Sequence, residues 1–428
     1  MRVALVNPNW SFDGSIYFGC REPHLPLELG WCDALLRREG HRTLMLDGHL
    51  FGLETADIAA ELRAFRPDLL VVTTAPTYLF WRCAPPELRV PMTLLQALEG
   101  LAPRTLAIGP HGSTTPATAL RKLGVDGVVM GECEEVVARI AGGAWEGLAG
   151  LVHQDGTEVR INGGPQAARF VDTEPLGWPE EWIARHHHHH HRFDADPIGP
   201  GAEIEASRGC PYSCTFCAKE NFRDRYRRRE PDAVLAEAAR LRGQGAEYVY
   251  FIDEIFLPNR PLLEGLTELG LKFGVQTRID LWKPDMLALL GRAGCVSIEA
   301  GVESLTEAGR NELAKNCKLS TEALADRLLE ARRHVPFVQA NLLEMPQDDA
   351  GLVARWRDRL RDGGVWANDP VPLFPYPGSP DYRRLWGRPD DVAWERAVDH
   401  YLATFAELSE LQDVRPRPLA ELEAGGRA

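Results

Sequence analysis

The sequence predicts an α/β protein in two parts, a doubly wound parallel sheet over residues 1–145 followed by a partial (β/α)6 barrel over residues 197–385. Three observations carry this. At 428 residues the chain exceeds one ordinary domain of about 100–200 residues, and either half can bury its own core. Short β-branched or leucine-rich runs alternate with amphipathic segments, a pattern that builds parallel sheets with helices on their faces. The alternation stops between residues 146 and 196 and then resumes, which separates the two parts.

In the first part, strands are expected at Val3–Val6, Thr43–Leu46, Leu69–Thr73, Leu106–Ile108 and Gly127–Met130. Between them, segments such as Ile58, Leu62 and Phe65, opened by Thr55 as N-cap, have helical spacing. This is a Rossmann- or flavodoxin-like arrangement, whose ligands sit at the carboxyl ends of the strands. Those ends read "NPNW" (7–10), "TTAP" (73–76), "GPHGSTTP" (109–116) and "GECEE" (131–135). They have the residues of cradling loops, and turns alone demand the same ones. Residues 148–161 read as a β-hairpin around Asp155-Gly156, and the linker after it, to residue 196, holds "TEPLGWPEEW" and six consecutive histidines, His186 to His191.

In the second part, strands are expected at Glu203–Ala206, Tyr248–Ile252, Phe273–Gln276, Val296–Ala300, Phe337–Leu342 and Val371–Phe374. Helical patterns such as "PDAVLAEAARLRGQG" separate them. Six βα units fall short of the eight that close a full barrel. Residues 386–428 are expected as a short helical extension, with a helix over 391–412 and "RPRPLAELEAGGRA" as a tail.

Composition narrows the function. Acidic residues outnumber basic ones by 62 to 48, for a net charge of −14, where a nucleic-acid partner would call for a basic face. The local basic cluster "RDRYRRR" (223–229) is therefore read as a solvated approach or a partner for the acidic remainder. No apolar run suggests a signal peptide or a membrane span, so a cytoplasmic protein is expected. Nine cysteines, three clustered and six scattered, are no disulfide framework and suit a reducing compartment.

The cluster lies in "SRGCPYSCTFCAKENF" (207–222), which puts three cysteines within eight positions just after a strand. Structural zinc takes four ligands, commonly as two cysteine pairs, and a second pair is missing here. An iron–sulfur cube held by three thiolates leaves one iron open, as chemistry requires. The spacing Cys210-x3-Cys214-x2-Cys217, with an aromatic at Phe216, resembles the radical S-adenosylmethionine (SAM) superfamily. That resemblance implies a [4Fe–4S] cluster on Cys210, Cys214 and Cys217 and a SAM molecule chelated at the open iron. By the same resemblance, contacts to SAM fall to Phe216, Glu254 in "YFIDEIF", Arg278 in "VQTRID", and Glu299, Glu303 and Ser304 in "VSIEAGVES". A buried Glu299 needs a partner, for which Arg278 and SAM are the choices. "LFPYPGSPDY" (373–382) resembles a closing-strand loop of relatives.

With "PLELGWCDALLRREGHRTLMLD" (26–47), "RPDLLVVTT" (66–74), "AIGPHGSTTP" (107–116) and "GVDGVVMGECEEVV" (124–137) ahead of that barrel, nearly the whole chain resembles the cobalamin-binding-domain radical SAM enzymes. The resemblance implies cobalamin at the loops of Asn9, Thr73, Thr74, Gly109, His111, Ser113, Gly131 and Glu132. The D-x-H-x-x-G motif is absent, because Asp47-Gly48-His49 has the wrong spacing, so no protein ligand to cobalt is implied. The implied activity is methyl transfer to an unactivated carbon of a small-molecule substrate, with an external one-electron reductant such as flavodoxin or ferredoxin. A non-methylating member that cyclises, oxidises or rearranges its substrate is the alternative, and a non-catalytic metal-binding protein the second. The histidine run is read as linker, or as a segment that reaches over the cleft between the two parts.

Overall fold

The computed structural model describes residues 1–16, 23–77, 84–169, 176–186, 199–223, 225–405 and 415–424. Two sheets dominate it. The first contains β1 (Arg2–Asn7), β2 (Arg42–Asp47), β3 (Leu69–Thr73), β4 (Thr105–Ile108), β5 (Gly127–Val129), β6 (Leu151–Asp155) and β7 (Glu158–Ile161), in the order β2-β1-β3-β4-β5-β6-β7. Strands β1 to β5 are mutually parallel. Val3 to Val6 are fully buried because helices cover both faces of the sheet. Helices Leu27–Arg38 and Glu134–Ala141 take one face, and Thr55–Phe65, Arg89–Ala97 and Pro116–Leu123 the other. The expected hairpin forms, but it belongs to this sheet: β6 pairs antiparallel with β5, so the sheet runs on to residue 161.

The second sheet follows β8 (Gly201–Ile204). A two-residue ribbon, β9 (Ser207–Arg208) with β10 (Arg227–Arg228), precedes β11 (Tyr248–Phe251), β12 (Lys272–Thr277), β13 (Cys295–Glu303), β14 (Phe337–Leu342) and β15 (Trp366–Ala367). The order β15-β14-β13-β12-β11-β8 is all parallel, a six-stranded partial barrel. Alternation sorts its residues by face. Ala202, Ile204, Val249, Phe251, Phe273, Val275, Ile298, Ala300, Val338 and Ala340 belong to the main apolar core. The intervening positions include Glu203, Ser297, Glu299 and Gln339, all buried. A buried polar face on an otherwise apolar sheet is what positions a site.

Three expectations are corrected. The sixth strand is Trp366–Ala367, not Val371–Phe374, where Val371 makes one isolated bridge to Leu343. Pro370, Pro372 and Pro375 remove the N–H donors that a continuous ladder needs there. The C-terminal stretch is no free tail. Leu419, Leu422 and Glu423 are buried, and Glu423 accepts from Leu88 N at 2.9 Å and from Lys122 Nζ at 2.8 Å. The last long helix is Ala393–Thr404, and Trp394 Nε1 donates to Thr115 Oγ1 at 3.1 Å, so the extension returns to the first part. His186, at the head of the histidine run, is buried. Its Nδ1 meets Gly201 O at 2.7 Å and its Nε2 lies 3.5 Å from Glu203 Oε1, which His24 Nδ1 meets at 2.6 Å. The rest of the run, His187 to His191, lies outside the described residues.

Two predictions follow from this packing. Gly131 has φ +78°, and a Cβ there would fall 2.3 Å from both the N and the O of Gln166. Gly131→Ala is expected to destabilise the protein by about 2 kcal/mol or more, read as a lower urea midpoint. Glu28, in the first turn of helix Leu27–Arg38, is buried and accepts from Thr77 Oγ1. Burial outweighs that bond and raises its carboxyl from 4.5 to about 8. The folded chain thus holds a proton that the unfolded chain releases, and stability falls as pH rises from about 4.5 to 8. Glu28→Gln should gain on the wild type between pH 5 and pH 8.5 in urea unfolding; a constant difference would contradict this.

Candidate active site

The three clustered cysteines lie on the loop between β9 and β10, just past the carboxyl end of β8. The ribbon closes this loop at its base, with Arg208 opposite Arg227 and Ser207 opposite Arg228. Gly209, with φ +77°, lets the chain pass Arg225, whose carbonyl oxygen would lie 2.3 Å from a Cβ. Gly209 N donates to Glu254 Oε2 at 2.7 Å. Inside the loop Cys217 N donates to Cys214 O at 3.2 Å, and Lys219 Nζ to Cys210 O at 2.7 Å. Thr215 is held from both sides, its N–H by Leu313 O at 3.1 Å and its carbonyl by Asp381 N at 2.9 Å.

The chemistry of the three thiols fits an iron–sulfur cluster. All three are partly exposed. Burial raises the Cys210 and Cys214 thiols and pushes Cys217 up to about 12. The backbone N–H groups of Tyr212 and Lys219 act in the other direction on Cys210 and Cys217, as amide donors to cluster sulfurs do. A desolvated thiolate needs a cation, and iron supplies it. Among the described residues no three His, Cys, Asp or Glu side chains are grouped to hold a single metal ion.

The residues expected around SAM are placed as follows. Phe216 lies within the cysteine loop and is half-buried. Glu254 follows β11 and, besides Gly209 N, accepts from Arg223 Nη1 at 3.2 Å. Arg278, at the end of β12, does not use its guanidinium on Glu299. Its Nε and Nη2 donate to Asp280 at 3.2 and 2.8 Å, and its plane lies 4.0 Å from the Tyr212 ring centroid. Its Nη1 is buried with no hydrogen-bond partner among the described residues, as are Gln276 Oε1, Ser297 Oγ and Gln339 Oε1. Gln276, Glu299 and Gln339 are register partners across β12, β13 and β14, so these three side chains line up as one polar row across the sheet. Glu303 has φ +62° and forms an ion pair with buried Lys315, whose Nζ also donates to Gly301 O at 2.8 Å. Ser304 donates to Asp348 Oδ2 at 2.7 Å.

The residues expected at cobalamin lie at the carboxyl ends of the first sheet, and most are engaged with one another. Thr73 Oγ1 donates to Asn7 Oδ1 at 3.1 Å. His111 is fully buried, between Thr74 Oγ1 at 3.1 Å and Pro85 O at 2.7 Å, and burial lowers its pKa to about 4. Gly109, with φ +142°, packs against Thr74, and Ser113 Oγ accepts from Gly131 N at 2.7 Å. Glu132 is buried among arginines. Asn9 lines a cavity of about 410 Å³ beside the ends of β1 and β2, together with Pro8, Ser11, Glu54, Thr55 and Arg89. Strand order reverses direction at β1, the place where an open α/β sheet takes its ligand.

A buried ion network joins the two parts; the sequence reading offered pairing of the basic cluster with acids but named no partners and did not include Arg208. Arg208 Nη1 reaches Glu132 Oε2 at 3.2 Å and also pairs with Glu134, while its Nη2 meets Glu205 Oε2 at 2.9 Å. Arg223 Nη1 meets Glu205 Oε1 at 2.7 Å, and its Nε lies 3.5 Å from Glu132 Oε1. Burial pushes the Glu205 carboxyl up, but Arg208 and Arg223 outweigh it and hold it at about 2. The one available signal was the basic cluster after the cysteines, and its Arg223 and Arg229 turn inward onto acids.

The family model described as "Radical SAM superfamily" matches residues 204–349. An uncharacterised methyltransferase of Pyrococcus horikoshii is 24% identical over 320 residues, 71% of this chain and 66% of that protein. The anaerobic magnesium-protoporphyrin IX monomethyl ester cyclase of Cereibacter sphaeroides is 27% identical over 407 residues, 87% of this chain and 63% of that protein. The chain thus spans just under two thirds of the length of these two relatives. The solved structure of the radical SAM methyltransferase TsrM from Kitasatospora setae, with cobalamin and a [4Fe–4S] cluster bound, superposes with a TM-score of 0.69 at 18% identity, covering 89% of this chain and 76% of that one. Residues 204–349 therefore match the radical SAM superfamily, and the chain as a whole shares the two-part fold of the TsrM structure.

Proposed function

We propose that this protein is a cobalamin-dependent radical SAM methyltransferase acting on an unactivated carbon of a small molecule. One observation carries the reading. The three-thiol loop follows the carboxyl end of β8 and is bonded directly to the loops after β4 and β5, through Asn221 to Thr114 at 3.3 Å and through Arg208 to Glu132. The ligand edges of the two sheets therefore meet at the cysteines. The methyltransferase name of one relative and the bound cofactors of TsrM support the same reading.

Cys210, Cys214 and Cys217 would hold the cluster, which would supply the electron for SAM cleavage, while cobalamin would supply the methyl group. The chain's part is to bind, orient and exclude water. The unpartnered Nη1 of Arg278 suits a carboxylate at the cluster end of the polar row, and the Gln276 and Gln339 amide oxygens suit donor groups deeper in. Glu303 and Lys315 neutralise each other beside the cysteine loop, so neither leaves an uncompensated charge there. The cavity at Asn9 and the carboxyl ends of the first sheet would take the corrinoid. Among the described residues no helix is long and apolar enough to cross a membrane; a cytoplasmic location and an external reductant of the flavodoxin or ferredoxin type complete the proposal.

The cyclase among the relatives favours a second reading, radical chemistry without methyl transfer on the same scaffold. Products separate the two. Anaerobic incubation with SAM, reductant, cobalamin and extracts of candidate small molecules should yield both 5′-deoxyadenosine and S-adenosylhomocysteine by mass spectrometry. The first product alone would transfer the assignment to the second reading. Cys214→Ala is expected to lose cluster iron and SAM cleavage together, and full iron content in that variant would remove the cluster from these cysteines.

A further inference from the structure

A single carboxylate from the first part ties together both arms of the cysteine loop. Glu132 has no exposed side-chain surface, and three guanidinium groups converge on it. Arg208 lies on the entry arm, two residues before Cys210. Arg223 and Arg227 lie on the exit arm, where Arg227 Nη1 donates to Glu132 Oε2 at 3.0 Å and its Nη2 pairs with Oε1. Glu132 is itself held in place. Its N–H donates to Gln166 O at 2.9 Å, its Oε2 accepts from Ala168 N at 2.7 Å, and the preceding Gly131 is pinned by Ser113. The second part ties the arms through Glu205 and Glu254, and the ribbon that closes the loop is only two residues long on each side, so Glu132 adds a hold from outside that part.

We infer that Glu132, with Arg208, Arg223 and Arg227, positions the cysteine loop, so that the first part completes a cluster site whose ligands all come from the second. Glu132 is then not a contact to cobalamin but a positioning residue for the cluster. The inference rests on the cluster assignment above. Neutralising Glu132 leaves Arg208 to Glu134 and Glu205 and Arg223 to Glu205 and Glu254, but takes from the loop the carboxylate of the first part that meets Arg208, Arg223 and Arg227 together, and the excess positive charge at the seam loosens the tie between the two arms. The loop that presents Cys210, Cys214 and Cys217 then loosens at its base.

The test reads iron, not turnover. Full-length protein is reconstituted anaerobically, and release of iron to an excess of a coloured ferrous chelator is followed. Glu132→Gln is expected to release iron at least tenfold faster than wild type and to broaden the EPR signal of the reduced cluster. Glu135→Gln, next but two along the same helix-start segment and, among the described residues, bonded to the backbone N–H of Arg169 at 2.8 Å, is expected to behave as wild type. Because Glu132→Gln removes a buried charge and can fail to fold, Arg227→Gln and Arg227→Lys are measured beside it with far-UV circular dichroism as the check. Arg227→Gln should release iron faster and Arg227→Lys should restore most of the retention. Wild-type rates and spectra in folded Glu132→Gln and Arg227→Gln would overturn the positioning role and leave the cluster assignment standing. A wild type that takes up no iron would overturn both.

Discussion

A charge that is taken out of water must be neutralised where it lies, and the seam between the two sheets is organised by that requirement. Glu132 and Glu134 come from the first part, Glu205 and Glu254 from the second, and Arg208, Arg223 and Arg227 are threaded among them. Burial opposes ionisation of Glu132 and Glu205, yet the arginines lower both. Such a network adds little net stability compared with apolar packing, but removing one member strands the others at a cost of about 3 to 5 kcal/mol. Its value is register: apolar surfaces slide, whereas guanidinium forks meet carboxylates in few geometries. The relative placement of the two sheets, and with it the meeting of their ligand edges, depends on this seam.

The second sheet shows the same economy on a smaller scale. Its outer face is a continuous apolar core, while the alternate residues carry glutamate, glutamine and serine into the interior. Folding alone does not account for that choice, since several of those atoms have no partner among the described residues. Buried polar atoms without partners are tolerated where a ligand completes them. Backbone strain points to the same place: Glu303, Ala314 and Asn316 all have positive φ and surround the Glu303–Lys315 pair next to the cysteine loop.

What the sequence made legible follows from the range of each interaction. Strand alternation is local, so Leu69–Thr73 and Phe337–Leu342 are read to the residue. Cys210, Cys214 and Cys217 are proposed as ligands on their spacing, which is local, and the structure sets all three on one loop. Val371–Phe374 was misplaced because its apolar content outweighed its prolines, and the tail was misread because Glu423 finds its partners, Leu88 and Lys122, more than three hundred residues away. The threonines, glycines and histidine at the ends of the first sheet show the limit of composition. Thr73, Thr74, His111 and Ser113 have the polarity of ligand contacts, and they spend it within the protein: Thr73 on Asn7, Thr74 and His111 on each other, and Ser113 on Gly131 N. That the basic cluster pairs with acids was legible from charge, but not which acids, because Glu132 lies 76, 91 and 95 residues from Arg208, Arg223 and Arg227.

The central claim is that two sheets present one shared site, with the three thiolates of the second facing the ligand edge of the first. An anaerobic crystal structure of the chain reconstituted with iron, sulfide, SAM and cobalamin tests it most directly. The account predicts a four-iron cluster on Cys210, Cys214 and Cys217, with SAM between that cluster and a corrinoid ring seated over the carboxyl ends of β1, β3 and β4. Iron bound elsewhere, or a corrinoid on a surface turned away from the cysteine loop, would contradict it.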